Sequence, residues 1–525
     1  MTQNGSAPTW WNFSGNIEHL PPTDGQQYYF TPTSLAELQA VLTAAQKAGI
    51  TVRVSGQRHS QPPLVTDDNR SAPPASPDCY LVDMSCYIDV GTNGIALGPG
   101  ANQITVNPGV REDDVDAFLT QNNLMFQTVT AGGFFSLGGM TSVDVHGATI
   151  EAPIFSETAA AFTILRADGT LQTVDANTPP PASGWTALQL TRVNLGGLGI
   201  VTQIILNVQP RPWANTLLGG TQWTRWTNKQ SFVNAMLPML TGSSAHDRME
   251  IFFTPYAAPW PGQDNFLTLW WDIESNPTPQ IPNSATSPAT ACTLAGEGTF
   301  GASKIPDPLI PDTQYLSNYI PAASVTLLGL KVIELQASLA NKDYSELWLA
   351  TASQVMFMSY FIELPNLDAA GIGKVWDGLD VVAQIVLQNG NFHICAPMEF
   401  RFIKGGDSAM SSAYATTAGS TFVNLDLIGF VPAVPSGDYP AQLLQFFADV
   451  ERQWVAMGGF PHNGKMYGFY DPTQPAGTYT AAFNPNFLSA LGTRRGARQQ
   501  AYNTYRQSQD PNGLFYNAYL KALMA

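Results

Sequence analysis

The chain has 525 residues, 44% hydrophobic and 11% aromatic, enough to bury the cores of two or three domains. Its net charge is −16 with only 24 Lys and Arg, so no basic surface is available for phosphate backbones and nucleic acid is excluded as a partner. The first residues carry neither a basic start nor an apolar run, and no stretch reaches membrane-spanning length. Neither a signal peptide nor a membrane anchor is therefore expected, and the chain reads as soluble, with the cytoplasm the favoured compartment.

Four cysteines, Cys79, Cys86, Cys292 and Cys395, form no C-x-x-C pair. They read as free buried thiols, with a short Cys79–Cys86 bridge as the alternative, and no metal site is expected.

Along the chain, residues 33–50 predict an amphipathic helix with Thr33 or Ser34 as N-cap, Glu37 in the first turn and Gly49 as the stop. Strands are expected at Thr51–Val54, Tyr80–Asp83, Ile104–Val106, Phe162–Arg166 and Ile200–Val208, and a helix at Arg111–Gln121. Asp168-Gly169 predicts a hairpin turn. Beyond Pro210-Arg211-Pro212, strand-like runs at Glu250–Thr254, Phe266–Asp272, Glu399–Phe402 and Phe422–Leu427 alternate with helices near Gln230–Leu240, Asp368–Leu387 and Gln442–Met457. Residues 275–312, rich in Pro, Ser, Thr and Gly, predict a long loop, and 484–525 is helical. The class is α+β rather than regular βαβ alternation.

Three Gly-rich stretches are suited to a diphosphate, because glycine lets backbone N–H groups approach it closely. They are Ser55-Gly56-Gln57-Arg58-His59-Ser60, then Thr130 to Gly147, then Asn194 to Gly199. The second contains Gly132, Gly133, Ser136, Gly138, Gly139, Ser142 and His146. None alone is specific, and the third precedes a strand rather than a helix, unlike a dinucleotide fingerprint.

In this order, over residues 27–210, they resemble the FAD-binding domain of vanillyl-alcohol-oxidase-like and lactone-oxidase-like flavoenzymes. The resemblance implies a two-subdomain PCMH-type FAD-binding domain (1–212), a substrate-binding cap domain (213–465) with an antiparallel sheet and flanking helices, and a C-terminal segment (466–525) returning to the first domain. It implies that the first two loops cradle the FAD diphosphate and that Gly199, Ile200 and Val201 lie beside the flavin. It also implies a covalent flavin bond through His59; the plain alternative is a hydrogen-bonding loop histidine. With no Cys in 127–147, a second, cysteinyl link is not expected. His146 lies against the cofactor or is an ordinary core histidine. Ser136 faces the flavin or caps a turn.

Met398-Glu399-Phe400-Arg401-Phe402 alternates, so Glu399 and Arg401 share one strand face. Glu-x-Arg here, with Pro461-His462-Asn463-Gly464-Lys465, resembles alditol oxidases and covalent-flavin cholesterol oxidases; a plain salt bridge is the alternative. Met249-Glu250 followed by Pro255 and Trp260 resembles the sterol enzymes' cap segment, which makes Glu250 a gating glutamate or a surface carboxylate. Asp426 falls near a polar position of that family, with Asn424 competing. Asn517, in Asp510-Pro-Asn-Gly-Leu-Phe-Tyr-Asn517, returns to the cofactor domain.

The resemblance implies hydride transfer from an alcohol carbon to FAD and electron transfer to O2. Glu399 would be the base or orient the hydroxyl, kept ionised by Arg401. Arg401 and Lys465 would stabilise negative charge. Pro108, where dehydrogenase relatives tend to carry Ala, points to an oxidase. The cap residues Phe252, Phe253, Trp270, Trp271, Met356, Phe357, Met358, Tyr360 and Phe361 line an apolar, sterol-like pocket or form plain core. Polyol or sugar oxidation, a dehydrogenase, and an FAD-dependent cyclisation or desaturation enzyme are the alternatives.

Overall fold

The computed structural model describes residues 9–67, 72–130, 133, 135–181, 184–211, 218–253, 264–272, 355–388, 398–430 and 436–525. The loop expected at 275–312, and Gly132, Pro255, Trp260, Cys292 and Cys395, lie outside them.

The helix Leu35–Ala48 forms as its caps dictate. Ser34 accepts from the Glu37 N–H, and Gly49 adopts φ 67°, a left-handed conformation that costs glycine no Cβ clash. It packs on a three-stranded parallel sheet in which Cys79–Asp83 lies between Tyr29–Phe30 and Thr51–Ser55. A second, five-stranded antiparallel sheet runs Leu171–Asp175, Ala159–Leu165, Ile200–Asn207, Gln103–Val106, Ile95–Leu97. Asp168-Gly169 turns its hairpin, with Gly169 at φ 80°. These two sheets make the two halves of the N-terminal region.

The cap is a seven-stranded antiparallel sheet in the spatial order Leu218–Thr224, Phe266–Asp272, Arg248–Phe253, Met398–Lys404, Thr421–Phe430, Val355–Leu364, Phe460–Pro461. One face is covered by the helices Lys229–Leu240, Ala369–Gln388 and Ala441–Ala456. Phe400 meets Phe232 at 6.2 Å, Tyr360 meets Trp454 at 5.7 Å, and the Trp454 indole donates to Gly378 O at 3.0 Å. Of the cap aromatics, Phe253, Trp271 and Tyr360 are core.

The helices Pro485–Arg495, Ala497–Gln509 and Ala518–Met524 close the chain. Leu514 O accepts from Val52 N at 2.7 Å, and Leu514 and Phe515 pack with the first helix, so the C-terminal segment does return to the N-terminal region.

The cysteines correct the expectation of free thiols in part. Cys79 is free and buried, but Cys86 is disulfide-bonded. The two are therefore not bridged to each other. Among the described residues no helix is long and apolar enough to cross a membrane, and no group of three or more His, Cys, Asp or Glu could hold a metal ion.

Candidate active site

One cleft joins the Gly-rich loops to the polar face of the cap sheet, with an empty volume of about 1500 Å³ including its open mouth. The strand Thr51–Ser55 ends in it, and Ser55, Gly56, Gln57, Arg58, His59 and Ser60 line one side. Thr130, Ser136, Gly138, Gly139, Ser142 and His146 line the other, around the short helix Leu137–Ser142. The loops meet closely because they lack side chains: a Cβ on Gly56 would stand 2.2 Å from Ser136 Oγ, and one on Gly138 would stand 2.7 Å from Pro108 Cβ. Arg58 takes φ 58°, held by Trp10 and Tyr29 rings at 5.8 and 5.9 Å. A long, glycine-lined cleft with backbone exposed on both walls fits a dinucleotide.

Several expected cofactor residues stand elsewhere. Gly147 packs under Thr128, where a Cβ would come within 2.5 Å of its hydroxyl. Gly133 is tied back to Asp113 N and the Thr130 hydroxyl. Ile200 and Val201 pair with Leu165 and Ile164, Gly199 packs tightly against the same two residues, and Leu195 and Gly196 line the cleft instead. Asn517 caps the last helix through Leu520 N (3.1 Å) and donates to Pro63 O (2.8 Å), just beyond the first loop.

The cap contributes a row of charges. Register places Glu250 opposite Arg401 and Arg401 opposite Asn424, with Glu399 opposite Asp426 in the next row. Arg401 Nε lies 2.6 Å from Glu399 Oε1, and its Nη2 lies 3.3 Å from Asp426 Oδ2. Arg401, Asp426, Lys465 and His462 line the cleft, while Glu250 and Glu399 stand behind them, both buried. The Asn424 amide turns its nitrogen to Asp426 (3.2 Å) and His146 Nε2 (3.3 Å), and its oxygen to Ser359 Oγ (2.8 Å). Asp426 thus lines the cleft, with Asn424 beside it.

The protonation of this group differs from the expectation. Burial holds Glu399 well above the ordinary carboxyl range despite Arg401, and the Glu250 and Asp426 carboxylates push the same way. Glu250 is raised by burial too, with Arg401 pulling the other way. The Glu399–Arg401 pairing is therefore opposed by burial first and by the neighbouring carboxyls second.

Lys465 lies over the Phe357 ring at 3.9 Å, with Nζ 3.2 Å from His59 Nε2, and burial brings it down to about 8. Burial and then Lys465 hold His59 and His462 below the usual histidine range. His59 is wedged between Phe13 and Phe135 at 4.7 and 4.8 Å. His146 is neutral for the same reason, burial first and Arg401 second, with Nδ1 toward Gly147 O at 2.8 Å. Of the nine apolar cap residues, Phe357 and Phe361 stand beside the cleft, under Lys465 and against His462 (5.8 Å), but none of the nine lines it.

Two buried polar residues that sequence reasoning missed shape the cleft. Arg53 donates to Leu64 O, Leu195 O, Gly196 O and Phe515 O. Its signal was there: a charge flanked by Val52 and Val54 in a short strand needs partners. Glu112, raised by burial to about 8, accepts from Thr130 N at 2.7 Å and from the Thr130 hydroxyl, anchoring the root of the second loop. As one of three acids in the first turn of a helix, with Asp113 and Asp114, it carried no such signal.

Comparison with known proteins agrees with this geometry. Residues 26–175 match the FAD binding domain family, and residues 374–523 match the D-arabinono-1,4-lactone oxidase family. D-arabinono-1,4-lactone oxidase of Yarrowia lipolytica is 26% identical over 186 residues, 35% of this chain and 32% of that one. L-gulonolactone oxidase of Mus musculus is 25% identical over 185 residues, 35% of this chain and 38% of that one. The match thus spans about a third of each relative's length. Two solved structures share the fold from end to end. A solvent-stable cholesterol oxidase has a TM-score of 0.66 at 17% identity, covering 98% of this chain and 97% of its own. A cholesterol oxidase from B. sterolicum has a TM-score of 0.66 at 14% identity, covering 100% and 99%. By its two family matches, its two-part N-terminal region and its sheet-based cap, the chain shares the fold of the vanillyl-alcohol-oxidase/PCMH-type superfamily of FAD-linked oxidoreductases.

Proposed function

We propose that the chain is an FAD-dependent alcohol oxidase, with the N-terminal region (1–212) holding the cofactor, the cap (213–465) holding the substrate and 466–525 closing the cofactor side. The observation that carries this reading is the single cleft that runs from the His59 loop to Arg401, Asp426 and Lys465. FAD held there would accept a hydride from the substrate carbinol and deliver the electrons to O2 as H2O2.

The protein's part is proton handling and charge. Glu399, raised above the ordinary range by burial, is better matched to taking a hydroxyl proton near neutral pH than an ordinary carboxylate. Arg401 holds its position. Lys465, at about 8, and Arg401 offset negative charge at the cleft. His59, neutral and at the cleft wall, is the residue we assign to a covalent flavin bond.

The activity named for the two matched structures supports a sterol-like alcohol. A polar, sugar-type alcohol is supported by the lactone oxidase relatives and by a lining of Arg401, Asp426, Lys465 and His462 with no cap aromatic among them. The test is acid precipitation of purified protein, read beside peroxide release with cholesterol, xylitol and long-chain alcohols. Yellow protein in the pellet and peroxide from one alcohol class are expected. Flavin freed by acid would remove the His59 bond, cyclised or desaturated product without peroxide would move the chain to the tailoring class, and absence of flavin would overturn the assignment.

A further inference from the structure

The segment that brings Lys465 and His462 to the cleft is a tight turn with no regular structure of its own. Lys465 N donates to His462 O (3.1 Å), Gly464 N donates to His462 Nδ1 (2.8 Å), and Met466 N donates to Phe357 O (2.9 Å). At its centre Asn463 turns away from the cleft and into protein. There Asp144, fully buried, accepts from Asn463 N (2.9 Å), Asn463 Nδ2 (2.7 Å) and Ser412 N (2.9 Å). The other end of the same amide accepts from Arg495 Nη2 at 2.8 Å, on the helix Pro485–Arg495.

Asp144 stands two residues before His146, so one short stretch of the N-terminal region both lines the cleft and grips the turn that supplies Lys465. The amide is oriented by acceptors at its nitrogen, Asp144 and Met410 O (2.9 Å), and by the guanidinium at its oxygen. We infer that Asp144, Asn463 and Arg495 form a positioning relay that sets Lys465 and His462 in the cleft and makes their placement depend on the C-terminal helix. The inference rests on the proposed function only for its kinetic readout.

The relay has a requirement that ordinary packing lacks. Asp144 must be an acceptor on both oxygens, and Asp144→Asn turns one of them into a donor, facing either the Ser412 N–H or the two Asn463 N–H groups. Asn463→Ala keeps the backbone N–H to Asp144 but cuts the link to Arg495.

The experiment compares wild type, Asp144→Asn and Asn463→Ala as full-length protein purified with whatever flavin it holds. The rate at which Lys465 is acetylated by acetic anhydride is followed against pH by peptide mass spectrometry. A midpoint near 8 is expected in the wild type, and a shift toward the free-lysine value, about 10.4, in both variants. This readout needs neither a substrate nor turnover, so failure of the alcohol oxidase assignment leaves it intact. Where an alcohol is oxidised, kcat should fall about tenfold or more with KM little changed, and adding Lys465→Met to either variant should cost nothing beyond Lys465→Met alone. A folded variant with the wild-type midpoint, or fully additive losses in the double variants, would overturn the relay. If both variants fail to fold, the trio is a stabilising device and the positioning role is overturned as well.

Discussion

The two faces of the cap sheet are built from the same strands and do opposite things. On one face Phe400, Tyr360 and their neighbours lie under three helices, sealed by ring contacts. On the other, one residue along, Glu250, Glu399, Arg401, Asp426 and Asn424 stand together, with Arg401 bridging Glu399 and Asp426. The strand Met-Glu-Phe-Arg-Phe supplies both faces, because successive side chains point opposite ways. The apolar face contributes stability. The polar face costs stability and carries the groups proposed for the chemistry.

Three substitutions press on this contrast. The largest effect is expected on the polar face in activity alone: Glu399→Gln should slow flavin reduction by about 10²–10⁴-fold with FAD retained, measured by anaerobic stopped-flow. Near-normal reduction would remove Glu399 from proton transfer. Phe400→Ala on the other face should do the reverse, losing about 3–5 kcal/mol in denaturant unfolding while the remaining folded protein keeps its flavin. A loss of flavin at unchanged stability would break the division between the faces.

The smallest effect is a pH dependence. Glu250 and Glu399 are raised in the folded state, so the folded protein binds the extra proton. Their contribution to stability is full below about 4.5 and is lost as pH rises through the raised values. Glu250→Gln removes one of the two carboxyls. Its melting temperature should fall less steeply above about pH 4.5 than the wild type's and stand a few degrees higher at pH 8. An identical slope would mean that Glu250 does not hold a proton in the folded state.

Local pattern made much of the fold readable. Ser34 and Gly49 bound the first helix, Asp168-Gly169 turned its hairpin, and alternation put Glu399 and Arg401 on one face. Strand register was not readable, so the meeting of Glu250 with Arg401 came only with the fold. The strand Val355–Leu364 was read as an aromatic cluster because both of its faces are buried and its apolar run hides the alternation. Ionisation failed for a different reason. Glu399 and Arg401 are a simple pair in sequence, but burial first, and then Glu250 and Asp426, distant in the chain, oppose that pairing. Asp144 and Asn463 are 319 positions apart, and no spacing announces such a bond.

Arg53 carries one more consequence. Its guanidinium gathers carbonyls from residues 64, 195, 196 and 515, so one side chain ties together three stretches that lie far apart in the chain. No local folding step can satisfy this cation: its acceptors arrive only when the tertiary structure closes around it, which makes Arg53 a sensor of completed assembly rather than a builder of its own strand.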